Sequence, residues 1–536
     1  MKEPTTSPYT WVVRVFPAIT AVSTATVIAA VSLAPNFSSR FGPIDDHEPL
    51  RWLDGASRLP LSDYFPTLLG DTELGSFGET TRFRPAYYAI RVGLSMIAGD
   101  SPTAWYCFTL LAFIAAVATL GYVTSMWLQA AIASPPTTKK LIVTSLYAGI
   151  GTALLASMPS WSGIVTRLGP SELWALLGTS IAALALTHLA FGGRQLWWLL
   201  ALFGISLAVL SKENFAPLAL VAGAVGVYRS LTCDQGRQNI IWGASCFVPL
   251  GFLLAGVGPR LTISQSDIYG QPIGPSRASS ALEALLSTYL LYWMPAFALL
   301  TFATLFLFFS RTASGRTGAI LITTVIVISL AWLTFDALVY EGEYSLPRYW
   351  MVFETLKALA LLGSFPVAVA VVTSAKGTLR LAGYLVLAAS LVAITNSIVT
   401  VPQSLRDLRT ESASNAAATV RYEQEVQAAL ALTSTEEIPS FMLVVGNDVE
   451  YEPVFALTAE ILRAIPSARV HVEVLGATTA PAVNALSMSG NRDSGLLPLE
   501  DLSRELASVC VFVNMDPSAT THCTGVPSAR VDARAM

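Results

Sequence analysis

Residues 103–131 read TAWYCFTLLAFIAAVATLGYVTSMWLQAA, 29 consecutive positions without an Asp, Glu, Lys, Arg or His. At about 1.5 Å per residue, a helix of that length outreaches the roughly 30 Å hydrocarbon layer of a bilayer. Working outward, similar apolar runs appear at 12–34, 141–158, 172–191, 196–211, 215–228, 240–257, 284–309, 319–340, 351–373 and 381–400. The pattern is that of a polytopic α-helical membrane protein with about eleven transmembrane helices. The run at 12–34 carries Ala29, Ala30 and Ala34, small residues of the kind found at signal cleavage sites. Its apolar stretch exceeds a signal h-region and ten more spans follow, so it reads as an anchor.

Composition agrees. The chain has 536 residues, 53% hydrophobic and 13% charged, with a mean hydropathy of +0.57. Soluble globular proteins carry about 25% charged residues. A soluble enzyme, a disordered regulator and a nucleic-acid binder are therefore excluded together, the last also because the net charge is −4. The charge is unevenly spread. Positions 401–536 hold nine Arg, no Lys and seventeen acidic residues, whereas 1–400 carries a small positive excess. We divide the chain accordingly into a membrane domain (1–400, with a first outer loop at 35–102) and a soluble domain (401–536).

Short loops rich in Lys and Arg stay cytoplasmic. With eleven spans and the amino terminus inside, Lys139/Lys140, Arg194, Arg229 with Arg237, Arg311 with Arg316, and Lys376 with Arg380 all fall on that side. The opposite side then receives 35–102, 161–171, 211–214, 259–283, 340–350 and the acidic tail. Nearly all the unusual polar residues lie there. The tail reads as an α/β domain: a polar Ala-rich helix over 405–431, strands at 441–445, 470–475 and 509–513, and helices at 452–465 and 499–506. Cys510 and Cys523 both belong to it, and outside the cytoplasm they are placed to form a disulfide.

Four groups of residues carry chemistry. Directly after the first span comes FGPIDDHEP at 41–49, with Asp45, Asp46, His47 and Glu48 in a row. Adjacent carboxylates at a low-dielectric boundary raise one another's pKa, which suits a general base or a ligand to a polar substrate. The bland alternative is a helix N-terminus capped by Asp45 and Glu48. The same loop ends in RFRPAYY at 82–88, where Arg82 and Arg84 match a phosphate in a bidentate manner. Tyr87 and Tyr88 read better as interfacial aromatic residues. SKENFAP at 211–217 puts Lys212 and Glu213 in a tight outer turn, either a snorkelling pair or a cation reaching a phosphate. The fourth group is YEGEYSLPRYW at 340–350, with Glu341, Glu343, Tyr344 and Arg348. Asp336 stands about one turn inside the ninth span, where an acid marks a functional site by default. Glu354 and Lys357 neutralise each other at i, i+3, and His188 is structural. His471 and His522 are too far apart in sequence to judge. No metal-ligand spacing, Gly-rich phosphate loop, CxxC pair or GxSxG elbow is present.

This layout resembles the GT-C class of membrane glycosyltransferases, which use lipid-linked sugars. Asp45-Asp46-His47-Glu48 is similar to the acidic motif that the class carries after its first span. Segments 49–59 and 85–98 resemble its interfacial jaw helices, and the Arg-Phe-Arg-Pro-x-Tyr-Tyr run looks like that of bacterial members. The resemblance implies inverting transfer of one sugar from a polyprenyl-phosphate donor to an envelope glycan, glycolipid or protein acceptor, on the outer face of a bacterial cytoplasmic membrane. It implies Asp45 or Asp46 as the general base, with Asp46 or Glu48 orienting the acceptor. Lys212, Arg348 and one of Arg82 and Arg84 would hold the donor phosphate. His47, Glu213, Glu341, Glu343 and Tyr344 remain as further substrate contacts. Cations around such a leaving group make a metal dispensable, so no cofactor is expected, although the acidic run with His47 leaves a divalent ion open. Two other classes compete. A transporter would show polar residues near mid-span and related halves, whereas here they gather at one face. A non-catalytic scaffold with an outer binding domain would tolerate neutralised loop acids.

Overall fold

The computed structural model describes residues 8–44, 46–53, 55–75, 77–78, 82–132, 135, 137–233, 235–264, 279, 283, 293–309, 313–340, 347–433, 439–446, 451–475, 508–514 and 526–531. Among these, nine helices are long and apolar enough to cross a membrane, and two shorter apolar ones, Trp197–Val209 and Met294–Phe309, accompany them. Each of the eleven falls on one of the runs read from sequence. They form a multi-pass bundle in which small residues set the closest approaches. The helices α1 (Glu172–Ala190) and α2 (Trp197–Val209) press together at Gly178 and Gly204. A Cβ on Gly178 would lie 2.5 Å from the Ala208 backbone nitrogen, and one on Gly204 would lie 2.6 Å from that of Ala182. The outward faces stay apolar, as at Phe203, Leu385, Val392 and Val399, which is what a lipid-facing helix surface requires. The first helix, Pro8–Ser32, belongs to the bundle and buries Ala21 and Ala25 completely.

The connections sort into two ends. At one, Arg229 donates to the Leu189 carbonyl and to Asn239 Oδ1, and Gln195 donates to Gln235. At the other, Asn36 donates to the Val165 carbonyl (2.7 Å), Gly163 lies against the Arg348 backbone, and the Ala86 N–H reaches the Leu210 carbonyl (2.9 Å). The loops around Gln195 and Gln235 thus meet at one end, and the loops around Asn36, Val165, Leu210 and Arg348 make their contacts at the other.

The last span does not stop at residue 400. Helix α3 (Thr378–Ala431) runs unbroken for 54 residues, so the boundary drawn at 401 from the change of composition falls inside one helix. Pro402 is accommodated within it. The apolar half ends near this proline, and the polar half is held by the loops at the second end. Ser412 Oγ donates to Asn36 Oδ1 (2.6 Å), Asn415 donates to the Thr166 carbonyl (2.5 Å), and the Arg40 N–H donates to Thr419 Oγ1 (2.9 Å).

Beyond α3 lies a parallel four-stranded sheet of β1 (Ser440–Gly446), β2 (Arg469–Leu475), β3 (Val509–Val513) and β4 (Ser528–Val531), in the order β2-β1-β3-β4. The first three strands match the sequence reading, and the fourth was not foreseen. Phe441, Leu443 and Val445 pack beneath Tyr422, Val426 and Ala429 of α3 and beneath Val454, Leu457 and Ile461 of α4 (Tyr451–Ala464). Met442, Val444, Cys510 and Phe512 form the other face, and burial on both faces is the rule for parallel sheets. Cys510 is disulfide-bonded. Cys523, His522 and the helix expected at 499–506 lie outside the described residues.

Candidate functional site

The polar-rich end of the bundle contains two buried charge clusters side by side. The first is built on the loop that follows the helix Pro8–Ser32. Asp46 is buried and its Oδ2 accepts the Gly42 N–H at 2.8 Å, which closes the loop into the helix His47–Leu53. Two residues on, Glu48 faces the helix Pro85–Ile97. Its Oε2 pairs with Arg91 at 3.1 Å and its Oε1 accepts from the Tyr88 hydroxyl at 3.1 Å. Arg91 also donates to the Tyr87 hydroxyl, which donates to the Gly169 carbonyl. Arg91 is almost wholly buried. Burial alone would oppose its charge, but Tyr87, Glu48 and Asp46 outweigh burial and raise the guanidinium above its ordinary value.

Arg84 is gripped by Glu73, whose carboxylate takes the Arg84 backbone N–H at 2.9 Å and both the Nε and Nη2 of the side chain. Here too burial opposes the charge and Glu73 overrides it, assisted by Tyr88 and Glu213. Burial, then Glu48 and Glu73, hold the Tyr88 phenol well above its usual range, so it stays a donor. Tyr87 and Tyr88 therefore correct the interfacial reading: both are buried, and their hydroxyls tie the cluster together. The aromatic repeat signals a wall, which side-chain type alone does not distinguish from a membrane belt.

The second cluster joins four helix ends. Lys212 Nζ lies 3.1 Å from Glu172 Oε1, with both residues more than nine-tenths buried. Asp336 and Arg348 are within electrostatic reach of this pair. Asn214 Nδ2 donates to Asp336 Oδ1 at 2.7 Å, and the Trp332 indole donates to the Asn214 carbonyl at 2.5 Å. Among the described residues, Ser171 Oγ, Ser211 Oγ, Asn214 Oδ1 and Asp336 Oδ2 have no hydrogen-bond partner. Lys212 and Arg348, 136 positions apart in number, thus meet around a carboxylate that the sequence reading did not select. Glu172 looked like an ordinary first-turn acid after Gly-Pro-Ser, and nothing in its neighbourhood distinguished it. The snorkelling alternative for Lys212 and Glu213 is also corrected: Lys212 turns to Glu172, while Glu213 Oε1 faces the Phe83 N–H at 3.4 Å.

Other sites fall as follows. Arg82 is half-buried beside Phe83. Asp45, Glu341, Glu343 and Tyr344 lie outside the described residues, as does the side chain of His47. Glu354 does not simply neutralise Lys357. It accepts the Ser160 N–H at 2.9 Å, while the Lys357 ammonium sits 5.1 Å from the Trp293 ring centroid. His188 stacks on Trp197 at 3.9 Å, in keeping with a structural role. His471 is buried in β2. Among the described residues no group of three or more His, Cys, Asp or Glu is arranged to hold a metal ion. No family model, curated protein or solved structure matches the chain.

Proposed function

We propose that this protein is an inverting glycosyltransferase of the GT-C kind. It would move one sugar from a polyprenyl-phosphate donor to a hydroxyl of an envelope glycan, glycolipid or protein acceptor, at the outer face of a bacterial cytoplasmic membrane. The observation that carries the reading is the meeting of Lys212 and Arg348 at one end of the bundle, next to the loop of Asp46 and Glu48. A sugar phosphate suits such a place. Cations take the phosphate, and the spare acceptors on Asn214, Asp336, Ser171 and Ser211 take sugar hydroxyls.

In the reaction, a carboxylate of the 45–46 pair removes the acceptor proton. The acceptor oxygen attacks the anomeric carbon from the face opposite the phosphate. The anomeric C–O bond breaks, and polyprenyl phosphate leaves with the electron pair. Lys212 and Arg348 offset the charge that grows on it. Arg84, engaged by Glu73, serves as frame, which leaves the phosphate role of that pair to Arg82.

The test uses the full chain in lipid nanodiscs with synthetic polyprenyl-phosphate arabinofuranose, mannose, glucose and rhamnose. Release of polyprenyl phosphate with transfer to an envelope extract is expected from one donor, and Asp45→Asn with Asp46→Asn abolishes it. Unchanged turnover in that double variant removes the catalytic assignment. No transfer by the wild type from any donor favours the transporter or scaffold alternatives. A chelator is expected to leave the rate unchanged.

A further inference from the structure

The helix His47–Leu53 is held between two neighbours. On one side helix α4 roofs it, with Ala459 packed among Phe41, Leu50 and Leu168, and Arg463 reaches Asp100 Oδ2 at 3.4 Å. On the other, Trp52 and Leu53 pack with Leu68 of the short helix Tyr64–Gly70, which continues the turn Leu61–Asp63. That short helix is fastened on its inner side. The Tyr64 hydroxyl donates to the Ala89 carbonyl (3.2 Å), and Arg51 donates to the Asp71 carbonyl just past its end (3.0 Å). Its opposite side is apolar and open: Leu61 is 78% exposed, Phe65 67% and Leu69 56%. Spaced four residues apart, these side chains fall on one side of the helix. A contiguous exposed apolar strip of this kind marks a contact surface.

The chain that follows shows where the strip lies. Gly75 is so close to the Leu69 carbonyl that a Cβ there would stand 2.1 Å from its oxygen. Two residues later, the Phe77 ring meets those of Phe83 and Phe252, with centroids 5.1 and 5.8 Å away. The Gly78 N–H donates to the Gly256 carbonyl at 2.9 Å. Phe252 and Gly256 belong to the apolar span Gly236–Pro259. Phe252 stands seven residues before Pro259, about 10 Å inside the end of that span. Both Phe77 and Phe252 are half-exposed, and Val248 and Leu254 of the same span are more open still. The loop therefore dips alongside a lipid-facing helix surface, and Phe77 connects that surface to the strip.

We propose that Leu61, Phe65 and Leu69 form a membrane anchor: they enter the acyl chains of the leaflet at the polar-rich end of the bundle and tie the helix His47–Leu53 to the bilayer. The strip lies between the two segments that resemble jaw helices and belongs to neither. Its partner is lipid and not protein, for two reasons. Three or four side chains fall far short of the roughly 20–30 residues a side that a stable protein interface uses. The strip also continues, through Phe77, a span surface that lipid already covers. An apolar helix face of this size seats itself about 5–10 Å into the boundary of headgroups and chains. The acid loop is then fixed to α4 on one side and to the bilayer on the other.

The inference needs a bilayer-spanning chain but not the transfer reaction, so its test uses no sugar donor. Full-length protein with p-benzoylphenylalanine in place of Phe65 is placed in phosphatidylcholine nanodiscs and irradiated, and its adducts are weighed by mass spectrometry. Two further positions bracket it: Leu385, on the outward face of α3, and Leu432, exposed just past the end of α3 and 30 residues beyond Pro402. A phosphatidylcholine adduct is expected at position 65, in a yield within about twofold of that at 385 and at least about tenfold that at 432. A yield at 65 no higher than at 432, with 385 labelled, overturns the anchor. A cross-link from 65 to a second copy of the chain also overturns it and makes the strip a dimer contact. Loss of the adduct at 385 as well removes the bilayer-spanning reading, and the anchor with it. Should the chain with the probe at 65 fail to fold, the same probe at Leu61 reads the same face.

Discussion

The two charge clusters at the end of the bundle are built on different principles. Around Arg91 and Arg84 each guanidinium is paired with a carboxylate, Glu48 for Arg91 and Glu73 for Arg84, and the Tyr87 and Tyr88 hydroxyls and aromatic rings complete the cluster. Around Lys212, four polar atoms, on Ser171, Ser211, Asn214 and Asp336, have no hydrogen-bond partner among the described residues. The first is a frame whose ion pairs hold the loop to the helix Pro85–Ile97. The second keeps capacity in reserve, and a ligand is most readily recruited by such a place.

That contrast can be broken by removing one member at a time. Lys212→Met strands the Glu172 carboxylate near Asp336 and should cost about 3–5 kcal/mol of stability, measured by thermal unfolding in detergent. Lys212→Met combined with Glu172→Leu should recover most of the loss. Arg91→Met should cost less, about 2 kcal/mol, because Glu48 is a fifth exposed and water can reach it. If Arg91→Met proves the more damaging change, the frame is the more strained cluster and the contrast reverses.

A pH experiment sharpens the comparison at the domain contact. Burial, and then the neighbouring Glu423, raise the Glu460 carboxyl above its usual range against the opposing pull of Arg463. A raised acid stabilises the fold below its ordinary value, and that contribution is lost as pH rises through the folded value. Wild-type melting temperature should therefore decline over that interval, and Glu460→Gln should flatten the decline. The smallest effect is expected from Arg40→Ala. Its pair with Glu423 is open to solvent on both sides, so unfolding should shift by no more than about 0.5 kcal/mol.

Much of this architecture was legible because hydrocarbon imposes a length and a polarity that single sequences display. All eleven apolar runs correspond to helices. The partners of the charges were not legible. Glu172 finds Lys212, and Asp336 finds Asn214, through helix ends that only three-dimensional packing brings together. Glu73 lay in a loop with no periodicity to mark it. Reading stopped α3 at residue 400 because polarity changes there, yet backbone hydrogen bonding continues through Pro402 and both halves share one helix. β4 escaped notice because four residues after Pro527 are too few for an alternation to show.

The roof over His47–Leu53 comes from a segment made long after the floor. Arg463 meets Asp100 across 363 positions, which at roughly 5–20 residues per second is an interval of about 20–70 s during synthesis. Throughout that interval the newborn chain carries Phe41 and Leu50 without Ala459 against them. Synthesis and docking of the final segment is therefore the event that roofs the acid loop, and any stall in translation after residue 400 leaves an unroofed protein behind.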